Sequence, residues 1–536
     1  MFFRYKRSLQ NGATYEYLQI AESYRLEGKP RQRVLATLGR RDRLEAEGKI
    51  DSLVESLAKF SQKYRALKAL SLEARTAKLW GPVLIFDRLW EEQGLLEILN
   101  KLVDGRKFGF DLERVAFAMV LQRLIAPGSD LQGSEWARTV EGLPEIALQH
   151  LDRTNGFLAE NREELERALF ARDRDLFSQE LDVVFLDTTS IAIHRDEETE
   201  WRKRGYSRDH RPDLPQMVLS IAVDGQGWPV SWEVFPGNTA DPVAFEAMIT
   251  KLRTGFAVAP AKLATRFRIG HVVVVADRGM MGKKSLDLLT EGQAPYDYIL
   301  GCRMRKQKEI SAEVLGWAGR YEDVAPNLKV KEVRIEDRRY VICLNEEEKR
   351  KDEAARLAIL DALREKLTGG AKNLIGNKGY ARYLRVAKDA VQIDEDKVLL
   401  ESRFDGKYVL RTNTELPAAE VAKTYKSLWR VERAFRETKS TLEVRPVFHH
   451  RDDTTIGHIV AGFLALRLEV DLQRRLDEHK IDVSWPTLMR DLSQVQAVHL
   501  QVDGQSYRLR TDLQGVAHQA FQAAGVRPPS AVTICD

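Results

Sequence analysis

The chain has 536 residues, 43% hydrophobic and 31% charged, with a formal net charge of only +4. That is ordinary for a soluble globular protein of three or more domains. So small an excess does not by itself imply nucleic acid, and any basic surface must be local. No apolar run approaches the eighteen or so residues that a membrane helix needs. The N-terminus MFFRYKRSLQ has no apolar core of the kind a secretory leader carries. Cys302, Cys343 and Cys535 show no metal-ligand spacing, and three is an odd number, so a reduced cytoplasmic compartment is expected.

Residues 1–45 form a small basic module, with ten Lys or Arg against five Asp or Glu. Its start reads as a hairpin turning at Asn11-Gly12. A helix-like stretch follows with Arg31, Arg33, Arg40, Arg41 and Arg43, a solvated basic face or a DNA-contacting one. Residues 46–180 carry helical periodicity almost throughout, as in LVESLAKFSQKYRAL and DLERVAFAMVLQRLI, and read as a helical DNA-binding or dimerisation region.

From 181 to 303 the pattern changes to strand, strand, strand, helix, strand, helix, strand. DVVFLDTTSIAI, PQMVLSIAV and WPVSWEVF are β-branched runs, the last two separated by the turn Asp224-Gly225-Gln226-Gly227. Asp241 and Pro242 open a helix as N-cap and first residue. HVVVVADRGM reads as a buried strand ending in Asp, and YDYILGCRM as a fifth strand. Residues 304–400 interrupt this order with a β-rich α+β insertion, and LLESRFDGKYVLRT reads as a hairpin at Asp405-Gly406. Residues 401–445 resume the core with a long helix, and 446–536 form a helical C-terminal region that ends in a poorly defined tail.

Three acids stand out by position. Asp187 lies in the first of these strands, Asp277 ends the valine strand, and Glu432 sits inside the basic, aromatic helix YKSLWRVERAFRETK. An acid flanked by apolar runs is costly unless a cation meets it, although an Asp at a strand end is also an ordinary helix cap. Carboxylates from two neighbouring strands and a distant helix suit a pair of hard divalent ions, Mg²⁺ or Mn²⁺, if they converge within a few ångströms. Such ions serve phosphodiester chemistry. Glu432, Arg436 and Lys439 share one helical face, which Tyr425, Leu428 and Trp429 continue backwards. Aromatics beside cations let bases stack while phosphates are neutralised.

These residues resemble the DDE transposases of bacterial insertion sequences, in the IS-four superfamily. The family's Tyr, Arg, Glu and Lys signature falls on Tyr425, Leu428, Glu432 and Lys439, with Leu428 in place of the arginine. Its two aspartates fall on Asp187 and Asp277, and GYSRDHRPDLPQ (205–216) resembles its loop between the first two strands. The resemblance implies an α/β, RNase H-like mixed five-stranded sheet flanked by helices. It implies two Mg²⁺ (or Mn²⁺) ions held by Asp187, Asp277 and Glu432. It implies an enzyme that binds the terminal inverted repeats of its element, hydrolyses one strand, and joins the freed 3′-OH to target DNA. Double-stranded DNA is the implied partner, a homodimeric synaptic complex the implied assembly, and the bacterial cytoplasm the implied location. Trp429 stands where an aromatic of the family stacks on a flipped base.

Arg430 or Lys426 could replace the missing arginine. Arg208 and Arg211 are candidates for DNA backbone contacts, and Arg278 could meet phosphate or pair with a carboxylate. His449, His450 and His458 fit no zinc spacing and are expected to be structural or DNA-facing; His194 is read as a satisfied histidine. The same acids would serve a structure-specific nuclease without strand transfer. A DNA-binding regulator that does not catalyse is the third alternative.

Overall fold

The computed structural model describes residues 1–536 except 11–12, 27–28, 59, 61–72, 178–182, 258–272, 281, 291–295, 369–377, 387–390, 503–504 and 536. The chain divides into two compact units. One is Met1–Gly81 with Arg490–Ala517 and Arg527–Asp536; the other is Pro82–Met489 with His518–Val526.

The first unit holds two antiparallel sheets. Strands β1 (Phe2–Gln10), β2 (Ala13–Leu26) and β3 (Lys29–Arg40) run in sequence order. Gln10 pairs with Ala13, while the Asn11-Gly12 turn lies outside the described residues. The stretch expected to be helical is therefore strand as far as Arg40. Its residues pair with β2, and Arg33 also meets Glu22 across the sheet; such pairing outweighs helix propensity. Only Arg41 and Arg43 lie on a helix, α1 (Arg41–Ala46), which α2 (Lys49–Ala58) follows. The second sheet joins β4 (Glu73–Leu79) to β16 (Gln496–Val502), β17 (Gln505–Arg510) and β18 (Val532–Cys535) in the order β18-β17-β16-β4. The tail that looked undefined thus supplies three strands, and one strand interrupts the helical region.

The second unit begins with helices α3 (Gly81–Glu92), α4 (Leu95–Val103), α5 (Leu112–Ile125), α6 (Asp130–Ala137), α7 (Leu148–Glu160) and α8 (Arg162–Phe177). The predicted order then appears as β5 (Val183–Ala192), β6 (Gln216–Asp224), β7 (Pro229–Pro236), α9 (Asp241–Ala257), β8 (Val273–Ala276), α10 (Lys283–Thr290) and β9 (Asp297–Gly301). Next come β10 (Glu322–Ala325), β11 (Leu328–Ile335), β12 (Arg338–Leu344), α11 (Glu346–Thr368), α12 (Lys378–Ala381), the pair β13 (Leu384–Val386) and β14 (Val391–Ile393), α13 (Glu395–Ser402) and β15 (Lys407–Thr412).

A mixed nine-stranded sheet organises this unit, in the order β10-β11-β12-β15-β9-β8-β5-β6-β7. Five strands were expected. Strands β10 to β12 belong to the interrupting segment, yet they extend the same sheet, because β15 pairs antiparallel with both β12 and β9. The hairpin expected at Asp405-Gly406 is a helix, α13, turning into β15. Gly406 makes that turn at φ +61°, where a Cβ would lie 2.4 Å from the Asn345 carbonyl oxygen. The long helix expected after Pro417 is broken into α14 (Ala418–Lys426), α15 (Trp429–Arg436) and a π-turn, Glu437–Thr441. Helices α16 (Asp452–Glu478), α17 (Trp485–Ser493) and α18 (Ala517–Ala523) complete the chain.

Val184 and Leu186 of β5 pack with Val274 and Ala276 of β8 and with Phe245 and Met248 of α9. Every residue of β6 is buried, which explains its nearly unbroken apolar run. Helix α16 is buried over most of its length and stacks Phe463 on Trp232 of β7 at 4.2 Å between ring centres. It approaches α7 very closely at Gly457, where a Cβ would lie 1.9 Å from the Asn155 carbonyl oxygen. Among the described residues no helix is long and apolar enough to cross a membrane.

Gly457→Ala is expected to force these helices apart and to lower stability by about 1–3 kcal/mol in denaturant unfolding, the usual range for overpacking. A change within about 0.5 kcal/mol, the range of neutral surface substitutions, would show that the backbones separate freely.

Candidate active site

The site starts from strand register. β5 and β8 are parallel neighbours with Leu186 opposite Ala276, so the next residues, Asp187 and Asp277, stand side by side. β9 continues the row, since Ala276 faces Leu300 and Gly301 follows. Two carboxylates thus stand on adjacent parallel strands, Asp187 midway along β5 and Asp277 just past the end of β8, roughly 4.8 Å apart in backbone spacing.

Asp187 is the more perturbed of the two. Its side chain is only 19% exposed, and its Oδ1 accepts from the Thr188 amide at 2.7 Å. Burial raises its pKa to about 6. Arg208 and the Thr188 amide pull it down, while the carboxylates of Asp277 and Asp241 push it further up. Asp277 accepts a hydrogen bond from the Tyr425 hydroxyl at 3.0 Å. Burial, and then the Asp277 charge, raise the Tyr425 phenol far above its ordinary value, so it stays a donor. Gly301 makes that contact possible, because a Cβ there would lie 2.6 Å from the Tyr425 oxygen and 3.0 Å from the Arg278 amide nitrogen.

Arg208 and Asp241 complete the cluster. The Arg208 guanidinium lies 3.4 Å from Asp187 Oδ1 and donates to Asp241 Oδ1 at 2.9 Å and to Thr188 Oγ1 at 2.8 Å. Thr188 Oγ1 also donates to Asp241 Oδ1 at 2.8 Å. Asp241, expected only as a helix cap, is therefore a third carboxylate of the site. A cavity of about 240 Å³ opens beside it, lined by Tyr206, Arg208, Asp241 and Arg303 among others.

Glu432 lies on α15, which rests on β5 and β6 and buries Val431, Ala434 and Phe435. Its carboxylate is exposed and makes no hydrogen bond or ion pair among the described residues. Asp187, Asp277 and Glu432 do not form a group whose ligand atoms all lie within 4.8 Å of one another. Among the described residues, the set of three or more ligating side chains within 4.8 Å of one another is Asp130, His449 and His458. Between α14 and α15 the chain makes a tightened turn at Ser427-Leu428, with i to i−3 hydrogen bonds such as Leu428 N–H to the Tyr425 carbonyl oxygen. Leu428 is buried at that break, which accounts for an apolar residue in the signature.

The remaining candidates differ in how free they are. Trp429 is 47% exposed, with the Arg430 guanidinium 5.2 Å from its ring centre. The two line a cavity of about 230 Å³ with Arg433, Glu437 and Glu469. Glu469, which sequence reading passed over, is buried without a hydrogen-bond partner; burial and the Glu437 charge raise it to about 8 against Arg433. Arg278 and Arg436 are exposed, and their side chains have no ion-pair partner among the described residues. Lys439 is instead held by Asp209 at 2.7 Å, which Arg445 also meets at 2.6 Å, and burial lowers its pKa. Arg211 makes a two-toothed pair with Asp213 and pulls that carboxyl down to about 2. His194 packs on Phe448.

A family model described as the transposase DDE domain matches residues 178–468, and one described as the IS1634 family transposase N-terminal domain matches residues 3–69. The chain belongs to the DDE transposases. It is therefore an enzyme of DNA transposition, and the family carries a general dependence on divalent metal ions. No curated protein matches the chain. Among solved structures it is similar to the piggyBac transposase in a synaptic complex with hairpin DNA, at 10% identity, over 77% of this chain and 79% of that one, with a TM-score of 0.40. It is also similar to the Mos1 transposase in a paired-end complex with the left transposon end, at 17% identity, over 35% of this chain and 59% of that one, with a TM-score of 0.14. At such scores the assignment of this transposase rests on the family models.

A carboxyl whose pKa is raised on folding binds its proton more tightly in the native state. Stability from Asp187 is thus present at low pH and is lost as pH rises from about 3.8 to about 6. Asp187→Asn is expected to raise the melting temperature of the metal-free protein at pH 7.5, by up to roughly 2–3 kcal/mol of stability. The gain should shrink towards zero near pH 4. An equal gain at both pH values would show that the carboxyl is not strained by its surroundings.

Proposed function

We propose that Asp187, Asp277 and Glu432 are the catalytic acids of this transposase and hold two Mg²⁺ or Mn²⁺ ions. The observation that carries the reading is the placement of Asp187 beside Asp277 on adjacent parallel strands. The donor set fits such ions. All donors are hard carboxylate oxygens, the two aspartates repel one another, and Glu432 is exposed and uncommitted. Ions bound there would activate the attacking oxygen and stabilise the leaving one.

The chain's own groups have separate tasks. Tyr425 fixes the rotamer of Asp277 through its hydroxyl, and the missing side chain at Gly301 leaves it room. Arg208 offsets the charge of Asp187 and Asp241 while no ion is bound. Arg278 and Arg436 offer cations to the DNA backbone, and Trp429 with Arg430 offers a stacking platform to an unpaired base. We read Lys439 and Arg211 as holding the 205–216 loop through Asp209 and Asp213, which brings Arg208 to the acids.

The sheet order β7-β6-β5-β8-β9, with three antiparallel and then two parallel strands, supports an RNase H-like core formed by 181–303 and 401–445. Residues 304–400 are its insertion. Residues 1–45 and 46–180 are assigned to DNA binding and dimerisation, and 446–536 to the C-terminal region. The reaction is hydrolysis of one strand at each terminal inverted repeat, then attack of the freed 3′-OH on a phosphodiester of target DNA. Both element ends must be held at once, so the working assembly is a homodimer.

With element-end DNA and Mg²⁺, Asp187→Asn, Asp277→Asn and Glu432→Gln should each slow nicking and joining by more than about 10²-fold while DNA binding survives. Wild-type chemistry in Glu432→Gln would remove α15 from the site. Trp429→Ala should impair steps after the first nick more than the nick itself; equal loss at both would argue against stacking.

A further inference from the structure

Asp130, His449 and His458 lie outside the acids of β5 and β8 and use none of their residues. Asp130 is the first residue of α6, His449 lies in the loop before α16, and His458 is in the second turn of α16. We infer that these three side chains form a second cation site, built for a d-block ion such as Zn²⁺ rather than for the ions of catalysis.

Four observations carry this. The first is spacing. His449 Nε2 lies 3.0 Å from His458 Nδ1 and 3.9 Å from Asp130 Oδ2, and all three ligand atoms fall within 4.8 Å of one another. Two imidazole nitrogens on one tetrahedral zinc stand about 3.3 Å apart, from bonds of about 2.0–2.1 Å.

The second is orientation. His458 Nε2 is 3.0 Å from the Val444 carbonyl oxygen, which can only accept, so that nitrogen carries the proton and Nδ1 presents its lone pair to the cluster. Asp130 Oδ2 accepts from the Asn155 amide at 2.9 Å. A carbonyl behind the histidine and a donor behind the carboxylate are the outer partners that fix metal ligands.

The third is charge. The cluster opens on a cavity of about 460 Å³. Of the arginines lining it, Arg445 is paired with Asp209 and Arg451 with Asp453. Arg123 is buried against Asp130 and Glu443, and Asp152 is a third carboxylate of the lining. The cavity also leaves a coordination position open to water or a ligand.

The fourth is donor chemistry. Two imidazoles and one carboxylate suit a borderline ion, whereas three carboxylates suit Mg²⁺ or Mn²⁺. Arg123 is the competitor. Its Nη2 lies 3.2 Å from His458 Nδ1 and 3.8 Å from Asp130 Oδ1, so it holds the place of a cation when no ion is bound. Its Nη1 already reaches the Glu443 carbonyl oxygen at 3.4 Å, an acceptor that it keeps when an ion enters. Bound zinc would tie α6 and α16 to the loop that carries Arg445 and that bridges Ile193, just past the end of β5, through Val447.

The test uses the full chain carrying Asp187→Asn and Asp277→Asn, so that the catalytic acids do not contribute to the count. The protein is stripped with a chelator and titrated with Zn²⁺ in excess Mg²⁺ against a chromogenic chelator, and in parallel with Co²⁺. The expected result is one equivalent of Zn²⁺ and a Co²⁺ visible band, with binding weakened at least about tenfold by His449→Ala and by Asp130→Asn. Arg123→Met should tighten binding. No zinc held against the competing chelator, or equal binding by parent and both ligand variants, overturns the inference. His449→Gln, which keeps the bulk of the side chain, serves if the alanine variant does not fold.

Discussion

Pairing of β5 with β8 is the constraint from which the rest follows. Parallel register puts two carboxylates next to each other at the rim of a sheet whose interior is packed with Val, Leu and Ala. Like charges in so dry a place are unfavourable, and the surroundings are arranged to tolerate them. Arg208 leans over one, the Tyr425 hydroxyl supports the other, and the chain omits a side chain at 301 so that the tyrosine can reach. The arrangement stores an affinity for positive charge and leaves it to be satisfied by something other than the protein.

The strand sequence of the core was legible because buried strands leave β-branched runs. Asp187 stood out as an acid inside such a run and Asp277 as an acid ending one, and Tyr425 through its spacing from Glu432. Less local features were hidden. Arg31 and Arg33 looked helical because their partners lie on another strand, beyond any window of periodicity. The break at Leu428 is invisible in a run without Gly or Pro. Strands β10 to β12 have an insertion's pattern, and only the pairing of β15 with both β12 and β9 shows that they prolong the main sheet.

Side chains gathered from distant segments were the hardest to see. His449 and His458 carry no zinc spacing because their third member, Asp130, comes from an early helix. Asp241 announced itself only as a cap; it is the first residue of α9, and its carboxylate holds Arg208 and Thr188. Gly301 gave no signal at all, because in sequence it is one glycine at the end of a strand. Its meaning is a distance to a tyrosine far along the chain.

The many arginines of this protein are largely spoken for. Arg211 answers to Asp213, Lys439 and Arg445 to Asp209, and Arg451 to Asp453. A bound duplex sheds counterions only where a cation is free to replace them. Arg278 and Arg436 are exposed cations without an ion-pair partner among the described residues, so they remain free for such an exchange. The paired residues act as internal mortar, indifferent to the polyelectrolyte outside.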